Sequence, residues 1–371
     1  MTSVPSVPLL DLQAQYHGIQ DELDEAVRAV VHSQHFVMGP EVEALEDEIA
    51  RYLGVHHAVG CASGTDALLL PLRALGAEPG DDVVVPGFTF FATAGAVSNA
   101  GYTPVFCDVD PDTFNVTAQT LEAAWTARTV AVVPVHLFGQ MAPMAEIRAL
   151  ADRRGAFVLE DAAQAIGAAS ADGRAGAVGD AAAFSFFPTK NLGGFGEGGL
   201  VTTNDADLAD RVAKLRVHGG RQMYHHEMVG TNSRLDALQA AVLRVKLRYL
   251  DGWGSKRREN ALRYHDTLAD LDEVRLPRVL RGNTHVYNQF TIRAERRDEL
   301  RQHLSDLEIG SGIYYPVPLH LQPCFAGCGI GKGDLPVTES LCHEVLSLPI
   351  FPELGAERLV RVAEAIRAFY G

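Results

Sequence analysis

Two amphipathic stretches open the hydrophobic pattern. Ile19, Leu23, Ala26, Val27 and Val30 recur at helical spacing and predict a helix over residues 19–31. The run His35-Phe36-Val37-Met38-Gly39-Pro40 breaks it. Val42, Leu45 and Ile49 predict a second helix from Glu41 to about Leu53, with Gly54 as its stop. From Ala58 onward the period changes. A short strand leads into the turn Ser63-Gly64-Thr65-Asp66 and a helix over 67–75. Short apolar runs then alternate with helical stripes. Strands are predicted over 82–85, 104–107, 129–133 and 157–159, and helices over 90–100, 118–126 and 144–153. This alternation predicts an α/β fold with a mainly parallel sheet and right-handed crossovers. Ligands of such sheets bind at the carboxyl ends of the strands. Ser63, Phe88, Phe90, His136 and Asp161 each fall just after a predicted strand, so the fold can bring them together.

Two further strands, 181–186 and 200–203, flank a glycine-rich turn. A helix over 206–217 and a polar loop ending at Asn232-Ser233-Arg234 follow. Leu235, Leu238, Ala241, Val242, Val245 and Tyr249 form the stripe of a long helix beginning near Arg234. Beyond it the texture changes to helix 255–271, strand 286–292, helix 299–307, a proline-pinned extended segment 314–320, helix 338–346 and helix 357–370. The expectation is a large unit over 1–250, which includes the N-terminal helices, and a small α+β unit over 251–371.

Composition narrows the function. The chain of 371 residues is 47% hydrophobic and carries a formal net charge of −15. That balance disfavours general nucleic-acid binding, which needs lysine and arginine to neutralise phosphate. It leaves room for an anionic small substrate in a locally positive pocket. The five cysteines, Cys61, Cys107, Cys324, Cys328 and Cys342, are scattered, and no ligands at zinc-motif spacing accompany the Cys324/Cys328 pair. Residues Met1 to Pro8 carry neither a basic segment nor an apolar core of signal-peptide length, and no run reaches the length of a membrane span. The expectation is a cytoplasmic protein with no membrane and no nucleic-acid partner.

The chemistry concentrates at Phe184-Ser185-Phe186-Phe187-Pro188-Thr189-Lys190-Asn191-Leu192-Gly193-Gly194. One lysine stands between a proline and a run of glycines. Asp161 precedes it by 29 residues, at the end of the apolar run Phe157-Val158-Leu159-Glu160-Asp161. A lysine able to form an imine and a carboxylate able to keep a pyridinium nitrogen protonated are the two groups that pyridoxal phosphate chemistry needs from a protein. On this reading Lys190 binds the cofactor and, once displaced by an incoming amine, moves the proton at the substrate carbon. Asp161 is either the pyridinium partner or a cap for the Ala162-Ala163-Gln164 turn. Gln164 reaches the ring hydroxyl or is a surface amide. Phe90, with Phe88 second, covers the ring face or lies in the core. The turn at Ser63, Gly64 and Thr65 holds a phosphate at a helix start or merely caps it. Ser185 donates to the phosphate or is a plain strand hydroxyl. Gly194-Phe195-Gly196-Glu197-Gly198-Gly199 fits G-x-G-x-x-G but runs into a strand rather than a helix, which argues against a dinucleotide site.

Five ordered segments carry a resemblance: Ser63-Gly64-Thr65-Asp66-Ala67-Leu68, Pro86-Gly87-Phe88-Thr89-Phe90, Glu160-Asp161-Ala162-Ala163-Gln164, Ser185-Phe186-Phe187-Pro188-Thr189-Lys190 and Asn232-Ser233-Arg234-Leu235-Asp236. In this order they resemble the DegT/StrS family of pyridoxal phosphate-dependent nucleotide-sugar aminotransferases. The resemblance implies fold type I and a homodimer with shared active sites. It implies that Lys190 is the imine lysine, that Asp161 holds the pyridinium and that Gln164 meets the ring hydroxyl. It places Gly64, Thr65 and Ser185 on the phosphate, with Asn232 sent to that phosphate by the partner subunit; read bare, Asn232 is a helix cap. It marks residues 218–232 and 314–320 as substrate-facing, with Arg221, Tyr315 and His320 as substrate residues or ordinary loop residues. The implied reaction moves an amino group from L-glutamate to a keto sugar of a nucleoside diphosphate, at the sugar 3-position. The alternatives are the 4-position, a sugar dehydratase, or a non-catalytic regulatory protein of the same fold. Lys190 favours transamination, since relatives that dehydrate carry histidine there.

Overall fold

The computed structural model of the chain describes residues 6–371; of the Met1–Pro8 segment read above for a leader, residues 1–5 lie outside them. Twelve strands form among the described residues: β1 (His57–Cys61), β2 (Asp82–Pro86), β3 (Thr103–Cys107), β4 (Thr129–Val132), β5 (Phe157–Asp161), β6 (Ala169–Ser170), β7 (Gly173–Arg174), β8 (Ala181–Ser185), β9 (Gly199–Thr203), β10 (Val274–Arg275), β11 (Phe290–Ala294) and β12 (Val345–Leu348). Seven build one sheet in the order β1-β9-β8-β5-β4-β2-β3. The pairs from β8 through β5, β4 and β2 to β3 are parallel, while β9 runs antiparallel to both β8 and β1. The mainly parallel sheet expected from the alternation is therefore present, with β9 as the reversed strand.

Both faces of this sheet are covered, which is why its strands read as continuous apolar runs. Val83 and Val85 of β2 enter one core with Leu68, Leu70 and Leu72 from the helix Gly64–Leu75. Val84 enters the opposite core with Val42, Leu45 and Ile49 from the helix Pro40–Leu53. Each such fully buried valine contributes roughly 1.5–3 kcal/mol.

A three-stranded antiparallel sheet, β10-β11-β12, forms beyond residue 250. It packs on the helices Leu250–Leu268, Arg297–Asp306 and Ala356–Tyr370 through Tyr264, Phe290, Leu304, Leu348 and Ile366. Val7 joins this core and pairs with Ile309, so the start of the described chain lies with its end. No described helix is long and apolar enough to cross a membrane.

Two expectations fail in this region. The stripe read as helix 338–346 stops at Glu344, and Val345–Leu348 becomes β12. β11 supplies the partner that a single stripe cannot reveal, and Arg297 Nη1 donates to the Val345 carbonyl at 2.9 Å where the helix ends. The strand read over 286–292 begins only at Phe290. The preceding residues are drawn out of register by bonds to other elements: Val286 N–H donates to the Gly139 carbonyl at 2.9 Å, and Arg257 Nη1 donates to the Tyr287 carbonyl at 2.9 Å. Gly139 has φ +104°, and a Cβ there would stand 3.0 Å from the amides of Tyr287 and Asn288, so the close approach requires glycine.

Beneath the end of β5 lies a buried histidine–carboxylate hydrogen bond. Ala142 N–H donates to His136 Nδ1 at 3.2 Å, so Nε2 carries the ring proton and donates it to Glu160 at 2.7 Å. Glu160 also accepts from the amides of Gly176, Val178 and Gly179. Burial pushes its pKa up, but His136 and these amides outweigh that and hold it below the ordinary range. Glu160→Ala leaves four donors without an acceptor, those of His136 and Gly176 fully buried. We expect a loss of about 3–5 kcal/mol in urea unfolding.

Candidate active site

The carboxyl ends of β5 and β8 and the turn after β1 open onto one cavity of about 530 Å³, well within the range of roughly 300–1,000 Å³ usual for small-molecule sites. Its wall includes Ser63, Gly64, Thr65, Phe90, Asp161, Gln164, Ser185, Lys190 and Tyr315. These are residues predicted from separate stretches of sequence, and parallel topology brings them to one sheet edge.

Asp161 is the last residue of β5 and is buried. Its backbone is fixed between strands, donating to the Pro134 carbonyl and accepting from the His136 amide. Its carboxylate accepts from Thr93 Oγ1 at 2.8 Å and from Ala163 N–H at 3.2 Å. Burial raises its pKa, while Thr93, the Ala163 amide and the Lys190 charge pull the other way. The turn-capping alternative is thus realised by one oxygen, through Ala163, and the other is held by Thr93.

Lys190 sits on a turn closed by its own N–H donating to the Phe187 carbonyl at 2.9 Å and by Gly194 N–H donating to Phe186 at 2.7 Å. Burial lowers its pKa to about 8, with Asp161 opposing the shift. Attack on an aldehyde needs the neutral amine. At pH 8 about half of Lys190 is neutral, against less than about 1% of an ordinary lysine with pKa near 10.4. The rate at which cofactor-free protein combines with pyridoxal phosphate therefore rises with pH through about 8 and levels off above it, as stopped-flow absorbance will register.

The phosphate end is a helix start. Ser63 caps the helix Gly64–Leu75 by accepting from Asp66 N–H at 3.1 Å. That leaves the Gly64 and Thr65 amides of the first turn facing the cavity, at the positive end of the helix. A Cβ on Gly64 would come within 2.6 Å of Ser185 Cβ, so glycine is what lets this turn and Ser185 share a cradle. Ser185 Oγ accepts from Phe187 N–H at 3.3 Å and keeps its own proton to donate. A lysine, a carboxylate and this anion cradle in one cavity fit pyridoxal phosphate. Lys190, Asp161, Gly64, Thr65 and Ser185 all line this cavity and are the residues that could hold it.

The aromatic alternatives separate cleanly. Phe90 is 56% exposed and lines the cavity, while Phe88 is buried against Phe114, Phe138 and Tyr315. Gln164 spans two partners: its Oε1 accepts from Phe138 N–H at 2.7 Å and its Nε2 donates to the Tyr315 hydroxyl at 3.0 Å. His136, expected at this edge, is buried below it with Glu160.

Three predicted residues are not brought to this cavity by a single chain. Asn232 is exposed and bridges to Val217; the cap of the following helix is Asp236 instead. Arg221 pairs with Asp210 at 2.7 Å and lines a separate, wider groove of about 1340 Å³ beneath the loop 218–230. His320 turns inward, where its Nε2 bonds Glu339 at 3.2 Å and its ring lies near Phe106.

Sequence reasoning missed several supports. Lys246 is buried, donates to the Gly193 carbonyl at 2.7 Å and stands 5.0 Å from the Phe195 ring. Gln239 Oε1 accepts from Phe195 N–H at 2.7 Å. Together they hold the glycine turn that follows Lys190. The signal was present: Lys246 lies one turn after Val242 on the apolar side of its helix, where a lysine is out of place. Burial lowers its pKa to about 8. Thr93, Glu197 and Gln289 had no sequence signal, because only the folded chain brings them near Asp161 or the cavity.

The chain is similar to known proteins over nearly its whole length. A Geobacillus stearothermophilus protein described as a pleiotropic regulatory protein is 48% identical, over 98% of this chain and 99% of its own. The dTDP-3-amino-3,4,6-trideoxy-α-D-glucose transaminase of Streptomyces venezuelae is 48% identical, over 98% of this chain and 96% of its own. A solved structure of S. venezuelae DesV in complex with a ketimine intermediate superposes with a TM-score of 0.97 at 47% identity, covering 99% of each chain. The fold is thus that of pyridoxal phosphate-dependent aminotransferases. Since the family profile itself runs from residue 17 to residue 367, with Lys190 and Asp161 at the centre of the span, the chain belongs to the DegT/DnrJ/EryC1/StrS aminotransferase family.

Proposed function

We propose that this protein moves an amino group from L-glutamate to the 3-position of a keto sugar carried on a nucleoside diphosphate, acting as a cytoplasmic homodimer with shared active sites. The observation that carries the reading is the meeting of Lys190 and Asp161 with the Gly64–Thr65 helix start in one cavity. The 3-position is supported by the named activity of the S. venezuelae transaminase.

Pyridoxal phosphate, when bound, supplies the electron sink that stabilises charge at the carbon bonded to nitrogen. The rest is work for this chain. Asp161, held by Thr93, would pair with a positive ring nitrogen. Lys190 Nζ, with a pKa of about 8, takes up and returns a proton near neutral pH. Gln164 is clamped between Phe138 and Tyr315, with one amide proton left for the ring hydroxyl. Phe90 shields the open face from water.

The shared site is supported by charge. Lys190 is the one cation among the described residues of the cavity wall, which also carries Asp161 and Glu197. A cofactor phosphate, a glutamate carboxylate and a diphosphate need more positive charge than that. Arg221 of a second subunit would add that charge and Asn232 a neutral amide donor, and exposed Phe187 and Phe195 offer an apolar surface beside the site. The five unpaired cysteines suit a reducing compartment.

The test is the visible spectrum of purified, cofactor-loaded protein before and after glutamate. A yellow band that shifts to shorter wavelength, followed by amino-sugar formation from a keto-sugar nucleotide, supports the reading. A keto-sugar nucleotide that loses water without gaining nitrogen overturns it in favour of a dehydratase. A second reading, a regulatory protein of this fold, is favoured by the description of the G. stearothermophilus relative. Catalytic turnover excludes a purely regulatory role.

A further inference from the structure

Gln289 lines the active cavity, and its side-chain Oε1 is buried without a hydrogen-bond partner. Other described residues also leave a buried side-chain atom unpartnered, but Gln289 is the one among them that belongs to the cavity wall. A sealed acceptor with no donor costs free energy and calls for a reason.

Its position is imposed from several sides. The preceding residues are drawn out of β11: Asn191 Nδ2 donates to the Val286 carbonyl at 2.9 Å, and Asn288 Nδ2 donates to Asn191 Oδ1 at 2.7 Å. Arg257 holds the Tyr287 carbonyl. Asn191 is the residue after Lys190, so this network ties the place of Gln289 to the place of the lysine. Across the same cavity, the Tyr315 hydroxyl accepts from Gln164 and keeps a proton to donate. The wall therefore offers one fixed acceptor and one fixed donor, both neutral.

We infer that Gln289 is a specificity-determining residue whose Oε1 accepts a hydrogen bond from a hydroxyl of the sugar substrate. The inference rests on the function proposed above. The sugar is the better fit of the two substrates because its ring presents neutral O–H donors. The carboxylates of glutamate have no proton to give, and its one donor group, the amine, is the reacting nitrogen that belongs beside Lys190.

The two half-reactions separate the roles. Full-length, cofactor-loaded protein is mixed either with L-glutamate or with a 3-amino sugar linked to thymidine diphosphate or uridine diphosphate, and loss of the visible band is followed. In Gln289→Met the concentration of amino sugar needed for half-maximal rate rises about tenfold while the glutamate half-reaction is unchanged. The calorimetric affinity for the same amino sugar falls by the same factor. Equal losses in both half-reactions, or no loss in either, each overturn the inference. A wild-type protein that reacts with glutamate but with neither sugar probe overturns the proposed function, and this inference with it.

Discussion

Replacing Lys190 with alanine removes the yellow band of the loaded protein and lowers amino-sugar formation by about 10⁴-fold or more. The size follows from the two duties placed on one amine, attachment of the cofactor and proton transfer at the substrate carbon. Stability moves differently. The folded chain holds the Lys190 pKa at about 8, below that of an unfolded lysine. Its burial therefore opposes folding fully below pH 8, and the opposition fades as pH rises towards the unfolded value. The cofactor-free Lys190→Ala protein at pH 7 thus melts no lower than wild type. A melting midpoint well below wild type would point to a packing role for this lysine and against the catalytic one.

Asp161→Asn gives the complementary result. Lys190 is untouched, so the visible band persists, but turnover falls by about 10²–10³-fold. An amide cannot balance a positive ring nitrogen, and the ring loses the proton that makes it an electron sink. The substitution is nearly isosteric: the amide oxygen keeps the Ala163 N–H, and the new NH2 faces Thr93 Oγ1, which turns to accept it. Loss of activity with retained colour and unchanged unfolding is the expected signature. Turnover within about threefold of wild type would remove Asp161 from the chemistry.

The two predictions draw on residues that were legible before any coordinates, and the reason is local. Lys190 announces itself by its turn of proline and glycines, Asp161 by the apolar strand that ends on it. Phe90 and Phe88 were both named, but burial alone separates them: Phe88 packs on Phe114 and Phe138, and Phe90 faces the cavity. His320 and Arg221 show the opposite case. Both sit in segments of the right character, yet His320 turns into the core beside Glu339 and Arg221 pairs with Asp210. A loop's composition does not say which way each side chain points.

What the sequence determined by itself is the periodic part of this protein. The alternation of apolar runs and helical stripes dictated the parallel sheet, because a strand buried on both faces must be apolar throughout. The strand ends then dictated where Ser63, Asp161, Ser185 and Lys190 lie. Only the tertiary structure decided the rest. Val345–Leu348 became a strand because β11 offered its edge, and Val286–Gln289 left the strand because Asn191, Gly139 and Arg257 claimed its backbone. Lys246 gripping the Gly193 carbonyl and Gln289 facing the cavity belong to the same class. Hydrogen bonds between residues far apart in the chain leave no period in the sequence, and they exist only once the two partners have been folded to within about 3 Å.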